Sequence, residues 1–84
     1  MTYWVYILRT VNDTLYCGIA RDVEKRFQEH LEGKGAKYTR ANKPADIVYR
    51  EEFETKSDAL KEEMRIKNLT REEKLELIAA RRSL

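Results

Sequence analysis

Five side chains of this 84-residue chain have the types and positions for acid–base and electrostatic work on an anion: Tyr6, Tyr16, Arg26, His30 and Glu63. Tyr6 and Tyr16 stand on two successive apolar runs, and Arg26 and His30 follow on the first helix. Two hydroxyls, a guanidinium and an imidazole can therefore converge on one surface. At about 100° per residue, Val23, Phe27 and Leu31 form the apolar stripe of that helix, with Arg26 and His30 beside it on one flank. A cation at an apolar edge needs a buried carboxylate or an anionic ligand, unless its stem merely snorkels over the core. His30 reads equally as an edge residue with its nitrogens satisfied. Glu63 projects from the middle of a later helical stripe, where a carboxylate is costly unless it meets a cation, a metal or a set of donors. Two arrangements satisfy it: a buried ion pair with Arg26, or a metal site opposite a charge clamp on a phosphate. Its neighbour Glu62 is expected further round, toward solvent.

A second group lies between Gly33 and Pro44, where Lys34, Lys37, Arg40 and Lys43 occur without one acidic residue. Flexible glycines, four cations, the Thr39 hydroxyl and the Tyr38 ring make a grip for a phosphate backbone, with Tyr38 free to stack or to anchor the loop. The plainer alternative is a solvated basic loop.

The elements that must position these groups can be read in order. Tyr3 to Leu8 is an aromatic and β-branched run without polar alternation, which predicts a central strand covered on both faces. Val11 to Thr14 supplies turn formers, and Leu15 to Ile19 resumes the apolar run, so the pair reads as a hairpin. Gly18, near the end of the second strand, permits close approach by a ligand or another element, or marks a bulge or a tight exit. Asp22 is placed to cap the first helix. Gly33 to Pro44 reads as a loop, and Ile47 to Phe53 as a third strand. Ser57 is the expected cap of a helix from Asp58 to about Lys67, with Ala59, Leu60, Met64 and Ile66 on one face. Thr70 and Glu73 have capping-box spacing, opening a final helix to about Arg82 that buries Leu75, Ile78 and Ala79. Arg81 and Arg82 suit the negative end of that helix.

Composition bounds the class. The chain is 42% apolar and 38% charged with a formal net charge of +2, which excludes an acidic disordered tail and predicts one compact domain over residues 1–84. The single cysteine, Cys17, excludes a disulfide framework and a zinc cluster and suits a reducing cytoplasm. No apolar run reaches the length of a membrane span, and no signal-like segment opens the chain.

Val5-Tyr6-Ile7 and Tyr16-Cys17-Gly18, followed by Asp22, Arg26 and His30, resemble the signature of the GIY-YIG nuclease superfamily. Ala59, Glu63, Ile66 and Lys67 are similar to that family's glutamate-bearing helix, and the whole chain most resembles its small stand-alone bacterial members, the UPF0213-like domain proteins. The first motif reads Val-Tyr-Ile without its leading glycine, and Cys17 occupies the middle of the second. The resemblance implies an α+β fold, a three-stranded antiparallel sheet flanked by helices. It implies metal-dependent hydrolysis of nucleic-acid phosphodiesters, DNA before RNA, with low sequence specificity or selectivity for structure. Glu63 would hold one Mg²⁺ or Mn²⁺, Arg26 would stabilise charge on the phosphate, Tyr6 and Tyr16 would position or deprotonate the attacking water, and His30 would assist. A free tyrosine has a pKa of about 10, so a tyrosine base needs a cation or metal beside it, and His30 is the second choice as base. Lys34, Lys37, Tyr38, Arg40 and Lys43 would contact nucleic acid, and a separate protein could supply targeting. A non-catalytic nucleic-acid-binding module and a protein-interaction domain are the alternatives.

Overall fold

The computed structural model describes residues 2–82. The sheet is three-stranded and antiparallel: β1 (Tyr3–Thr10) lies between β2 (Leu15–Ala20) and β3 (Pro44–Phe53), in the order β2-β1-β3. The central strand is thus the apolar run at the start of the chain, as its lack of alternation requires. The β1–β2 turn is tight, with Asp13 at φ 60°, a left-handed position that a short polar side chain tolerates. Register pairs Tyr6 with Gly18 on one side and Arg50 on the other, and Ile7 with Cys17 and Tyr49.

Alternation along β1 divides the interior into two layers. Val5 and Ile7 point to one face, where Cys17, Tyr49, Ala59, Ile66 and Ile78 complete an aliphatic core under α3 (Lys56–Lys67) and α4 (Arg71–Arg82). Tyr6 and Leu8 point to the other, with Val23, Tyr16 and Phe27, under α1 (Val23–Leu31) and α2 (Lys37–Ala41). Val5 and Cys17 are both buried in the aliphatic layer.

Several local expectations are met. Asp22 caps α1 by accepting from the Lys25 amide at 3.1 Å. The capping box of α4 is formed in both directions, Thr70 N–H to Glu73 at 2.8 Å and Glu73 N–H to Thr70 Oγ1 at 3.2 Å.

Others are corrected. The cap of α3 is Thr55, whose Oγ1 accepts from the Asp58 amide at 3.1 Å, so the helix starts two residues before Asp58 and Ser57 lies inside it. Leu60 and Met64 are exposed, Met64 by 62%, because the stripe that meets the sheet runs through Ala59, Glu62, Glu63 and Ile66. In α4 the side chains turned inward are Leu77 and Ile78, while Leu75 and Ala79 face out. Arg81 does lie in the last turn of α4, exposed and near Tyr49, and the side chain of Arg82 lies outside the described residues. Gly33 to Pro44 is not wholly loop: α2 folds within it and β3 begins at Pro44.

Candidate active site at the edge of the sheet

The α1 side of β1 and β2 carries a chain of buried polar contacts. Tyr6 lies across Gly18, its strand partner; a Cβ at that position would stand 2.6 Å from Tyr6 Oη and 2.8 Å from Cζ. Glycine at 18 therefore serves another element of the protein, making room for a tyrosine hydroxyl. That hydroxyl meets His30 Nε2 at 2.9 Å. The opposite ring nitrogen, Nδ1, meets Thr39 Oγ1 at 2.6 Å, and Thr39 donates to the Ala36 carbonyl at 2.9 Å. Among the described residues, every buried side-chain polar atom has a partner.

His30 is thus not the edge residue its helical angle suggested. It is 1% exposed, closed in by Tyr6, Thr39 and Gly35, where any Cβ would fall on the imidazole ring. Like Tyr6, also 1% exposed, it is closed off from solvent, and its side-chain hydrogen-bond partners are Tyr6 and Thr39. Burial, together with the charge of Arg26, lowers its pKa below the ordinary value. Tyr6 is pushed up to about 12 by burial and by Tyr16, against a lowering hydrogen bond from Arg26.

Arg26 borders this chain on its solvent side. Its guanidinium pairs with Glu29 at 3.2 Å, lies beside Tyr6 and remains about one-third exposed. Tyr16 packs edge-on to His30, ring centroids 5.2 Å apart, and Tyr38 stacks on Tyr16 at 6.0 Å and 20°. Tyr38 thereby anchors α2, and its outer face is open. The structure thus brings together Tyr6, Tyr16, Arg26, His30 and Tyr38. Thr39, counted with the loop's phosphate-facing groups in the sequence, is buried against His30 instead. Lys37, Arg40 and Lys43 are exposed and pair with no carboxylate among the described residues, while Lys34 pairs loosely with Glu32 at 3.5 Å.

Glu63 comes from the opposite layer. It pairs with Lys67 at 3.3 Å and not with Arg26, so the buried ion pair that the sequence left open does not form. Glu62 and Glu63 are equally sheltered, each side chain 17% exposed, which corrects the expectation that Glu62 faces solvent. They differ in direction. Glu62 is held by Arg65 through two hydrogen bonds of 2.7 and 2.6 Å and leans toward Tyr49 and Glu51 of β3. Glu63 leans toward β2, where, after burial, its charge is the main cause that pushes the Cys17 thiol up to about 12. Cys17 follows Tyr16 on this edge strand, and successive residues point to opposite faces. The β2 edge is thus flanked by Glu63 from one layer and by the tyrosine, histidine and arginine group from the other. No group of three or more His, Cys, Asp or Glu side chains is gathered among the described residues.

Thr39 and Gly35 were not singled out in the sequence as partners of His30. Gly35 carried the only local signal, a glycine that a basic loop does not need for its charge.

Residues 2–76 match the family of the GIY-YIG catalytic domain. A UPF0213 protein of Staphylococcus saprophyticus is 47% identical over 77 residues, covering 92% of this chain and 94% of its own. One from Staphylococcus aureus is 48% identical over 80 residues, covering 95% and 98%. The solution NMR structure of an Enterococcus faecalis protein superposes with a TM-score of 0.68 at 34% identity, over 100% of this chain and 90% of that one. That of the UPF0213 protein of Bacillus halodurans gives 0.62 at 38%, over 95% and 85%. No helix among the described residues is long and apolar enough to cross a membrane.

Proposed function

This chain belongs to the GIY-YIG catalytic-domain family, and from that premise we propose that it is a divalent-metal-dependent endonuclease that hydrolyses nucleic-acid phosphodiesters, DNA before RNA. The observation that carries this reading is the convergence on one sheet edge of the Tyr6 hydroxyl, the Arg26 guanidinium and the half-buried Tyr16 ring. Phosphodiester cleavage needs a water in line with the leaving oxygen and positive charge at the phosphorus as negative charge builds there. Arg26 offers a planar fork suited to two phosphate oxygens, and its exposed pair with Glu29 is cheap to exchange for them. Tyr6 and Tyr16 place and deprotonate the water. The cations of residues 34–43 hold the strand, with Tyr38 as a stacking surface.

Glu63 suits the metal that such domains generally use. Mg²⁺ keeps several waters and commonly takes one or two carboxylates together with substrate phosphates, so a single sheltered carboxylate beside the β2 edge is an adequate protein share. The bound ion would supply Lewis-acid polarisation of the phosphate. Contacts to the phosphate backbone carry no sequence information, which favours structure-selective cutting or targeting by another protein. The ion pair of Glu63 with Lys67 supports the second reading, a nucleic-acid-binding module without turnover, because a carboxylate with a resident cation has less need of a metal.

The test is cleavage of branched, single-stranded and duplex substrates in Mg²⁺ and in Mn²⁺. Glu63→Gln should abolish divalent-dependent cutting and leave binding intact, with Glu62→Gln as a near-silent control. Arg26→Lys should lose most turnover and little binding. Full activity in Glu63→Gln removes the metal-ligand role, and a wild type inert on every substrate favours the binding module.

A further inference from the structure

Thr39 has one hydroxyl hydrogen and two lone pairs. Its Oγ1 lies 2.9 Å from the Ala36 carbonyl oxygen, which can only accept, and 2.6 Å from His30 Nδ1. Both are hydrogen bonds only when the hydroxyl donates to Ala36 and accepts from a protonated Nδ1. A neutral imidazole protonated there presents a lone pair at Nε2, 2.9 Å from the Tyr6 hydroxyl, so Tyr6 donates to His30. We propose that Thr39 is a positioning residue: it fixes the tautomer of His30 and thereby makes Tyr6 a proton acceptor, not a donor, toward the attacking water.

The opposite tautomer shows why this matters. With Nε2 protonated, Tyr6 accepts from His30, and that nitrogen has no lone pair left to take the Tyr6 hydrogen. Such a tyrosine cannot pass its proton inward. With Nδ1 protonated, Tyr6 gives its hydrogen to His30 and leaves its oxygen as the acceptor. The step then balances. Water passes a proton to Tyr6 Oη as the Tyr6 hydrogen moves to His30 Nε2. The hydroxide forms the new P–O bond, and the P–O bond to the leaving sugar oxygen breaks with its electron pair on that oxygen. The proton on His30 returns through Tyr6 to the leaving oxygen, and the imidazole is neutral again. Thr39 accepts from Nδ1 throughout, so nothing around it must rearrange. Gly35 leaves room for the ring in this orientation, since a side chain there would collide with it.

This route rests on the nuclease reading, but its first half can be tested without turnover. His30 is the only histidine in the sequence, so its ring nitrogens are unambiguous in the ¹⁵N NMR spectrum of the labelled full chain. At pH 7.5 the wild type should show Nδ1 protonated and Nε2 bare. Thr39→Ser keeps the hydroxyl and should keep that tautomer, whereas Thr39→Val should shift the population toward protonated Nε2. Tyr6→Phe should retain Nδ1 protonation if Thr39 is what sets it, and this second variant serves if Thr39→Val does not fold. A wild type protonated on Nε2, a wild-type tautomer in Thr39→Val, or redistribution in Tyr6→Phe each overturns the assignment. On any substrate the wild type cleaves, Thr39→Val should lower kcat on the order of 10- to 100-fold, less than the full share of a proton-transfer group, with KM within about twofold. Thr39→Ser should restore most of it. A shifted tautomer with unchanged kcat overturns the catalytic role alone, and absence of cleavage by the wild type bears on the nuclease reading while the spectrum still decides the tautomer.

Discussion

The two faces of the sheet are buried to the same degree by different chemistry. Under α3 and α4, Val5, Ile7, Ala59, Ile66 and Ile78 fill the layer with hydrocarbon. Beneath α1 and α2, an equally closed space holds Tyr6, His30 and Thr39, linked end to end by hydrogen bonds, with glycines at 18 and 35 where the backbone must pass close to the rings. Buried polar groups contribute little net stability even when satisfied, and an apolar filling of the same volume can do as well. The difference therefore separates roles: the aliphatic face holds the fold, and the polar face holds a geometry.

Removing one large side chain from each face tests that separation most strongly. Ile66→Ala should destabilise by about 2–5 kcal/mol through reduced burial and the cavity left behind, which for a domain this small is at least several degrees of Tm. Cleavage per folded molecule should change little. Tyr6→Phe keeps the ring and strands His30 Nε2 without its partner, at a cost of about 1–3 kcal/mol, while turnover should fall on the order of 10²- to 10⁴-fold. Thermal melts alongside single-turnover rates read both. Equal destabilisation, with activity tracking only the folded fraction, would erase the distinction between the faces.

The polar face should also give stability a pH dependence just below neutrality. His30 is surrounded by Tyr6 and Thr39 at its nitrogens, Tyr16 at its edge, and Arg26 and Glu29 on its own helix; burial and Arg26 lower its pKa, against an upward pull from Glu29. Above its unfolded pKa of about 6.5 the imidazole is neutral in both states, and its contribution is fully present. As pH falls below that value the unfolded chain takes up a proton first, so stability declines until the depressed folded pKa is reached. Urea midpoints at pH 7.5 and 5.5 should drop further for the wild type than for His30→Gln. An equal drop would mean that other groups carry the slope.

How much of this was legible in sequence follows the same division. The strands, the Asp22 cap and the capping box at Thr70 are local signals, and each formed as its spacing required. The fold class and family were legible for the same reason, since the motif residues sit on those elements. His30 was misplaced because a helical stripe was counted in apolar letters alone; a histidine goes inside once Tyr6 and Thr39 satisfy both nitrogens, and those partners lie 24 and 9 positions away. Helix α2 has five residues, too few to show a period, and its glycine-rich approach reads as loop. In α3, Leu60 and Met64 have the apolar character of core residues, although the spacing of Ala59, Glu62, Glu63 and Ile66 already marks one face.

The smallest expected effect concerns the two sides of α2 itself. Thr39 faces inward to His30, while Lys37 and Arg40 face solvent on the same short helix and Lys34 precedes it with a weak, exposed partner in Glu32. If the outer side serves only phosphate, replacing Lys34, Lys37 and Arg40 by alanine should weaken binding across all sequences. The slope of log affinity against log salt should also fall by roughly 0.9 for each duplex phosphate that is no longer neutralised. Stability should stay within about 0.5 kcal/mol, because exposed cations away from caps and buried networks contribute little. The His30 ring should keep its wild-type ¹⁵N signature, since its nitrogens bond Tyr6 and Thr39 and none of the three cations. An unchanged salt slope would make the cations ordinary solvated surface. A changed signature would mean that the two sides of α2 are not independent, and that strand binding on the outside is coupled through Thr39 to the proton path within.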